Sequence, residues 1–371
     1  MKSDKRLKNN NTAKIAIIDG GIYKSKLEHP EYVIKQICLV PGDEEIQGEH
    51  GTNCARILER CSAKYELIDI KIVQNWKVPA GVEIIIVALQ KCIEENVDFV
   101  CISAGTEYLS EYEKFKKIFR QFEIENIIVI AAISNYGYVT LPAAYRNVIG
   151  VIMDWNHVLE PMKCMCVNHP LLGDYIVANI QSHVSENDYP RGNSYAVPSV
   201  MKWILENVVY NVAGEMMLSA QAIVLMFPKY HNYLDVNNRS WGRDQNIPVL
   251  SFISASCEVA QEFKNFLIEE YKLETVLVIA KRMEIDDFEI WHDCRSLEQL
   301  LLFIDRYVKC HIILCYFECD ERGYNEMEYD LEIMEKQTCF TLKWEDQKMY
   351  SILKEYNWKQ KVAQKMIEIL N

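Results

Sequence analysis

Four short stretches, met in order along the chain, carry an acid, a base, an amide and a hydroxyl. They are Ile17-Ile18-Asp19-Gly20-Gly21, His50-Gly51-Thr52, Ser134-Asn135 and Gly192-Asn193-Ser194-Tyr195-Ala196-Val197-Pro198. A serine hydroxyl is a poor nucleophile until an imidazole takes its proton, and the imidazole needs a carboxylate to fix its tautomer. Asp19, His50 and Ser194 supply those three groups for acyl transfer. The side-chain amide of Asn135 and the backbone N–H of Ser194 would then hold the oxyanion. Each residue taken singly is an ordinary turn or cap. Together, with Gly-Thr after the base and Gly-x-Ser-x-Ala-x-Pro around the hydroxyl, they point to a serine hydrolase. Their order, Asp then His then Ser, differs from the Ser-Asp-His and His-Asp-Ser orders of two other hydrolase scaffolds.

Such groups need rigid elements to hold them. The stretch 14–19 is an apolar run ending in Asp-Gly-Gly, which predicts a buried strand meeting a loop. A helix is expected over 52–61, where Gly51 lets the backbone pass closely and Thr52 can cap. Strands are predicted over 65–73, 99–103 and 127–132, and helices over 80–95 and 111–122. Alternation of this kind implies a mostly parallel sheet covered on both faces. Ligands of such sheets sit at the carboxyl ends of the strands, where Asp19, Ser103 and Asn135 fall. Ser194 is expected to open a helix reaching about 212, with Pro198 tolerated in its first turn and a second helix over 214–227.

The motifs resemble those of the subtilisin-like serine peptidases, or subtilases. The family's aspartate, histidine, oxyanion-asparagine and serine motifs match Asp19, His50, Asn135 and Ser194. Ile102-Ser103-Ala104-Gly105 is similar to the family's Ser-Leu-Gly strand. The resemblance implies that Ser103, Ala104 and Gly105 pair with substrate and wall its P1 pocket. Leu141-Pro142-Ala143, the strand around Gly150 and the strand Tyr175-Ile176-Val177-Ala178-Asn179 match further segments, so the likeness covers about 14–225. It implies a subtilisin-like three-layer α/β fold. The chain departs from the family at Gly20, at Asn193 and Tyr195 beside the nucleophile, and over 74–77. The loop 43–49 offers no calcium ligand set. Cys54, four residues after His50, is read as a packing neighbour rather than a nucleophile.

Composition bounds the rest. The 371 residues are half hydrophobic, enough for two cores, yet no uncharged apolar run reaches the ~18–20 residues of a membrane span. A net charge of −13 disfavours nucleic acid and anionic membranes as partners. The polar N-terminal stretch lacks a secretory signal and no propeptide domain is expected before Lys14. With thirteen cysteines this favours a cytoplasmic, reducing location and free thiols. Paired C-x-x-C knuckles are absent, so no metal or cofactor is expected.

Four regions are expected: a polar tail over 1–13, a subtilase-like catalytic domain over 14–231, a polar linker over 232–246 and a smaller α/β domain over 247–371. The last shows strand–helix alternation, an acidic stretch over 320–335 read as a solvated loop or helix face, and a closing helix over 346–370. Its Ser-Ala-Ser-Cys loop at 254–257 follows a strand but lacks the glycines of a phosphate cradle. It is read as a recognition or scaffolding domain that could hold a substrate leader or a maturation-enzyme partner. The expected activity is a serine endopeptidase that processes a specific peptide or small-protein precursor by leader removal. The same residues suit two alternatives, an inactive peptide-binding subunit and an acyl transferase or macrocyclase.

Overall fold

Ala13–Asp19 (β1) is apolar on both sides of its pleat, so it can lie only between two neighbours with both faces covered. In the computed structural model it does so, paired in parallel with Tyr65–Lys71 (β3) on one side and Phe99–Ile102 (β4) on the other. The structure describes residues 12–40, 49–73, 80–169, 173–180, 192–209, 219–230, 245–285, 294, 296–319, 329–344 and 348–371. The segments 74–77 and 43–48, the helix start at 214–218, most of the linker and the acidic run 320–328 lie outside these residues. The chain divides into two units. One comprises Met1–Glu107 with Glu113–Trp241, the other Tyr108–Tyr112 with Gly242–Asn371.

The sheet of the first unit is completed by Val33–Cys38 (β2), Ile128–Ala132 (β5), Val148–Met153 (β6), Cys164–His169 (β7) and Gly173–Ala178 (β8). Its order is β2-β3-β1-β4-β5-β6-β8-β7, parallel throughout except for β7 against β8. Residues of both parities on β1 are buried, Ile15 and Ile17 on one face, Ala16 and Ile18 on the other. One face packs on the helices His50–Glu59 (α1), Ala196–Ile204 (α4) and Ala220–Val224 (α5) in a single apolar cluster. The crossover helices Val82–Glu94 (α2) and Tyr112–Glu125 (α3) bring their own buried Ile85, Leu89, Phe115 and Phe122. This is the three-layer α/β arrangement that the subtilase resemblance implies. Strands β1, β4 and β5 are adjacent and parallel, so Asp19, Ser103–Gly105 and Asn135 emerge at the same edge of the sheet.

Two local expectations change. Ser194 does not begin an α-helix: it sits in a 3-10 turn, Asn193–Tyr195, that precedes α4, and Leu205–Val209 continues α4 as a π-helical turn. Gly192, with φ +154°, sets that turn's entry, a conformation glycine adopts without a Cβ penalty. Thr52 does not cap α1. Its hydroxyl accepts from the Tyr23 amide at 2.9 Å, tying the helix to the loop after β1.

The second unit has the sheet order β11-β10-β12-β9-β13-β14-β15. Its parallel centre is Thr275–Ile279 (β10), Ile312–Glu318 (β12), Val249–Ser254 (β9) and Leu331–Glu335 (β13). Glu284–Ile285 (β11) pairs antiparallel with β10, and Cys339–Trp344 (β14) and Lys348–Leu353 (β15) form an antiparallel extension. Its helices are Cys257–Tyr271 (α6), Leu297–Tyr307 (α7) and Trp358–Leu370 (α8). The core gathers Phe252, Phe263 and Phe340, with Trp358 stacked on Phe340 at 4.2 Å. The hydroxyls of the 254–257 loop are used internally. Ser256 caps α6 by accepting from the Glu258 amide, and the Ser254 hydroxyl donates to the Ser256 carbonyl.

The closing helix expected over 346–370 is shorter, because Lys348–Leu353 is a strand that inserts Ile352 into the core. The acidic region also ends in a strand, β13, with Leu331 and Ile333 facing inward. Unit 2 further includes Tyr108–Tyr112, placed by the sequence within the catalytic domain. Both the amide and the hydroxyl of Ser110 donate to the Glu274 carboxylate, at 2.9 and 2.8 Å, which holds the segment there. Among the described residues no helix is long and apolar enough to cross a membrane.

Candidate active site

Asp19 ends β1 and is 6% exposed. Its Oδ1 accepts from the Gly20 amide at 2.6 Å, while Oδ2 lies 2.7 Å from His50 Nδ1. On its other side, His50 Nε2 lies 2.7 Å from Ser194 Oγ. The three expected groups thus form one continuous relay between residues 31 and 144 positions apart in the chain. Gly51 makes the approach feasible. A Cβ there would meet the Gly21 carbonyl oxygen at 2.6 Å and Asp19 Cβ at 3.3 Å, so only glycine lets α1 begin against the loop after β1. That loop is held from beneath by Asp69 of β3, whose Oδ2 accepts from the Ile22 amide and from Gln36 Nε2, both at 2.9 Å.

Burial alone would lower the basicity of His50. The Asp19 carboxylate beside it reverses that and raises the imidazole above its ordinary 6.5. Cys54 Sγ lies 3.9 Å from His50 Nδ1. Burial pushes its thiol up, so at neutral pH it stays uncharged. Burial, with the nearby Asp19 charge adding to it, raises the Asp69 carboxyl to about 6. Ligand atoms of Asp19, His50 and Cys54 fall within 4.8 Å of one another. Asp19 and His50 already spend those atoms on each other and His50 its remaining nitrogen on Ser194.

Asn135 follows β5. Its Oδ1 accepts from the Asn193 amide at 2.7 Å, which fixes the orientation of the side-chain amide. Its Nδ2 donates to no described residue. A Cβ added at Gly192 would stand 3.3 Å from Ser194 Oγ and 3.7–3.8 Å from the Asn135 amide atoms. The space that glycine leaves empty therefore lies between the Ser194 hydroxyl and the Asn135 amide, where a tetrahedral oxyanion would need room. Ser103, Ala104 and Gly105 follow β4. A Cβ at Gly105 would collide with the Leu141 carbonyl, and the next residue, Thr106, pairs with Leu141 through two backbone bonds of 2.8 Å.

Asn193 and Tyr195 were visible in the sequence only as departures from a motif. Asn193 is 3% exposed and spends its whole side chain. Oδ1 accepts from the Met153 amide at 3.0 Å and from Trp155 Nε1 at 2.9 Å, and Nδ2 donates to the carbonyls of Ile133 and Ser134 at 3.0 and 2.9 Å. It fastens the turn that carries Ser194 to the ends of β5 and β6. Tyr195 lays its ring on His50, centroids 4.4 Å apart. The one available signal was position, on either side of Ser194.

No protein family model and no curated protein matches the sequence. Among solved structures, the chain is similar to the self-cleaved protease domain of PatA, at 17% identity over 57% of this chain and 86% of that one, TM-score 0.41. It is also similar to a lanthipeptide protease, at 14% identity over 57% of this chain and 78% of that one, TM-score 0.44. A third similar structure is the nisin leader peptidase NisP from Lactococcus lactis, at 16% identity over 54% and 78%, TM-score 0.41. At such identities, what this chain does is read from its own residues.

Proposed function

We propose that the chain is a serine endopeptidase of the subtilase type that cleaves a peptide bond in a specific peptide precursor. The observation that carries this reading is the relay Asp19–His50–Ser194, with 2.7 Å at both links, beside the Asn135 side-chain amide, whose oxygen is held by the Asn193 N–H and whose nitrogen donates to no described residue. Ser194 Oγ attacks the scissile carbonyl carbon while His50 Nε2 takes its proton. Asp19 remains a carboxylate, holds Nδ1–H and stabilises the imidazolium. The Ser194 N–H and Asn135 Nδ2 donate to the oxyanion, charge that exists fully only in the transition state and intermediate. As the carbon–nitrogen bond breaks, His50 returns the proton to the leaving amine. Water then attacks the acyl-enzyme with His50 again as base. Ser103, Ala104 and Gly105 are assigned to the substrate backbone, at the same sheet edge as Asp19 and Asn135. The second unit, with a core of its own, is assigned to recognition of the precursor or of a maturation partner. All thirteen cysteines are free thiols, which suits work in a reducing compartment.

A fluorophosphonate probe tests this at once. It should label Ser194 in the intact chain, identified by mass spectrometry of the adducted peptide, and Ser194→Ala should abolish both labelling and peptide cleavage without changing the melting temperature. Labelling that persists in Ser194→Ala would remove the nucleophile assignment. A chain that binds peptides but never takes the probe would be a binding subunit.

A further inference from the structure

During acylation His50 loses one of its two anchors. In the free enzyme the imidazole is pinned at both nitrogens, by Asp19 Oδ2 and by Ser194 Oγ. Once Ser194 Oγ carries the acyl group, the second pin is gone and the ring can turn about its remaining bond to Asp19. It must nevertheless keep Nε2 aimed first at the leaving nitrogen and then at water. A third restraint is needed that does not depend on the hydroxyl.

Tyr195 has the geometry for it. Its ring centroid lies 4.4 Å from that of His50 with the planes 44° apart. His50 is the first residue of α1, so Tyr195 lays its ring on that helix at its start. The charged and titratable groups facing His50 among the described residues are Asp19 from β1, with Asp69 of β3 behind it, Cys54 from α1, and Tyr195 from the nucleophile's turn. We propose that Tyr195 is a positioning residue for His50: it holds the imidazole aligned both while Ser194 Oγ attacks and after it is acylated, and its π face stabilises the imidazolium that forms in each step. The inference rests on the peptidase reading above and adds a residue that the Asp-His-Ser-Asn set does not contain.

The test is the rate of fluorophosphonate labelling of Ser194 in the full chain as a function of pH, for wild type, Tyr195→Phe and Tyr195→Leu. Phe keeps the ring and should label within about twofold of wild type with the same inflection. Leu keeps apolar bulk without a π face. It should label about tenfold more slowly, and its acid inflection should fall by about 0.5–1 pH unit, because an imidazolium without its aromatic partner gives up its proton more readily. Loss of packing alone would not move the inflection. If Leu did not fold, Tyr195→Met would carry the same two measurements. A Leu or Met variant with wild-type rate and inflection at an unchanged melting temperature would overturn the inference while leaving the peptidase reading intact. So would a Phe variant as impaired as Leu, since the hydroxyl and not the ring would then be at work. A wild-type chain that takes no probe at Ser194 would overturn both.

Discussion

Asn193 shows how one side chain can set another's chemistry. Its own amide is consumed by four hydrogen bonds, and its backbone N–H holds the Asn135 amide in the orientation that leaves Nδ2 for an oxyanion. Asn135→Ala should therefore lower kcat by about 10²–10³ with little change in KM. Asn193→Ala should lower kcat in the same direction and also lower Tm, since each lost bond is worth about 1 kcal/mol. The double variant should fall short of the sum, because both act through the same amide. Steady-state kinetics and melting curves on the three variants check this. At His50 the relevant variable is pH. Its basicity is raised by Asp19, so the neutral base appears at higher pH than in a free imidazole, and the acid limb of labelling and turnover should lie above 6.5. The ion pair's contribution to stability has the opposite sense: fully present below about pH 6.5, lost as pH rises through the raised value. A pH–rate profile with its limb below 6.5 would contradict the pairing.

At the scale of elements, the site depends on how closely α1 can begin against β1. A Cβ at residue 51 would meet the Gly21 carbonyl, which is backbone and cannot rotate away. Gly51→Ala should push His50 from Asp19 by some fraction of an ångström to an ångström and reduce labelling of Ser194 about 10²-fold, the usual penalty for misplacing a catalytic group. Tm should change far less, because the apolar face of α1 with Ala55 and Leu58 remains in its cluster. Equal labelling of Gly51→Ala and wild type would show that the helix start has slack to spare.

At the scale of the molecule, the two units are not two consecutive pieces of chain. Tyr108–Tyr112 belongs with residues 242–371, where Leu109 and Tyr112 are buried and Ser110 is held by Glu274. The segment begins three residues after Gly105, so the chain passes from the first unit into the second before returning to α3. Glu274→Ala should strip both Ser110 donors of their acceptor and cost about 1–3 kcal/mol, visible as a lowered calorimetric transition. Chain ending at Trp241 would leave Leu109 and Tyr112 without their surroundings, so the better variant for studying the second unit is a point change in the intact chain. An unchanged transition in Glu274→Ala would mean that water replaces the carboxylate without loss.

The sequence by itself determined what is local or carried by residue type. The acid, base, amide and hydroxyl were legible, as were the strands around them, because short apolar runs, glycines and their order are properties of neighbouring residues. The layered α/β class followed from strand–helix alternation. Less legible were β13 and β15. An acidic composition hid the alternation of Leu331 and Ile333 with Glu332 and Glu335, and Lys348–Leu353 sat close to a helix and was read as part of it. What only the tertiary structure decided is what joins residues distant in the chain. Asn193 reaches backbone 40 and 60 positions away, Tyr195 lies on a base in another helix, and Ser110 donates to a carboxylate 164 positions later. No periodicity encodes such contacts. The first two arise when the sheet of the first unit brings the ends of β1, β4, β5 and β6 to one edge, the third when 108–112 folds with the second unit, and the entropy of closing those loops is offset by the burial of each core, not by the contacts themselves.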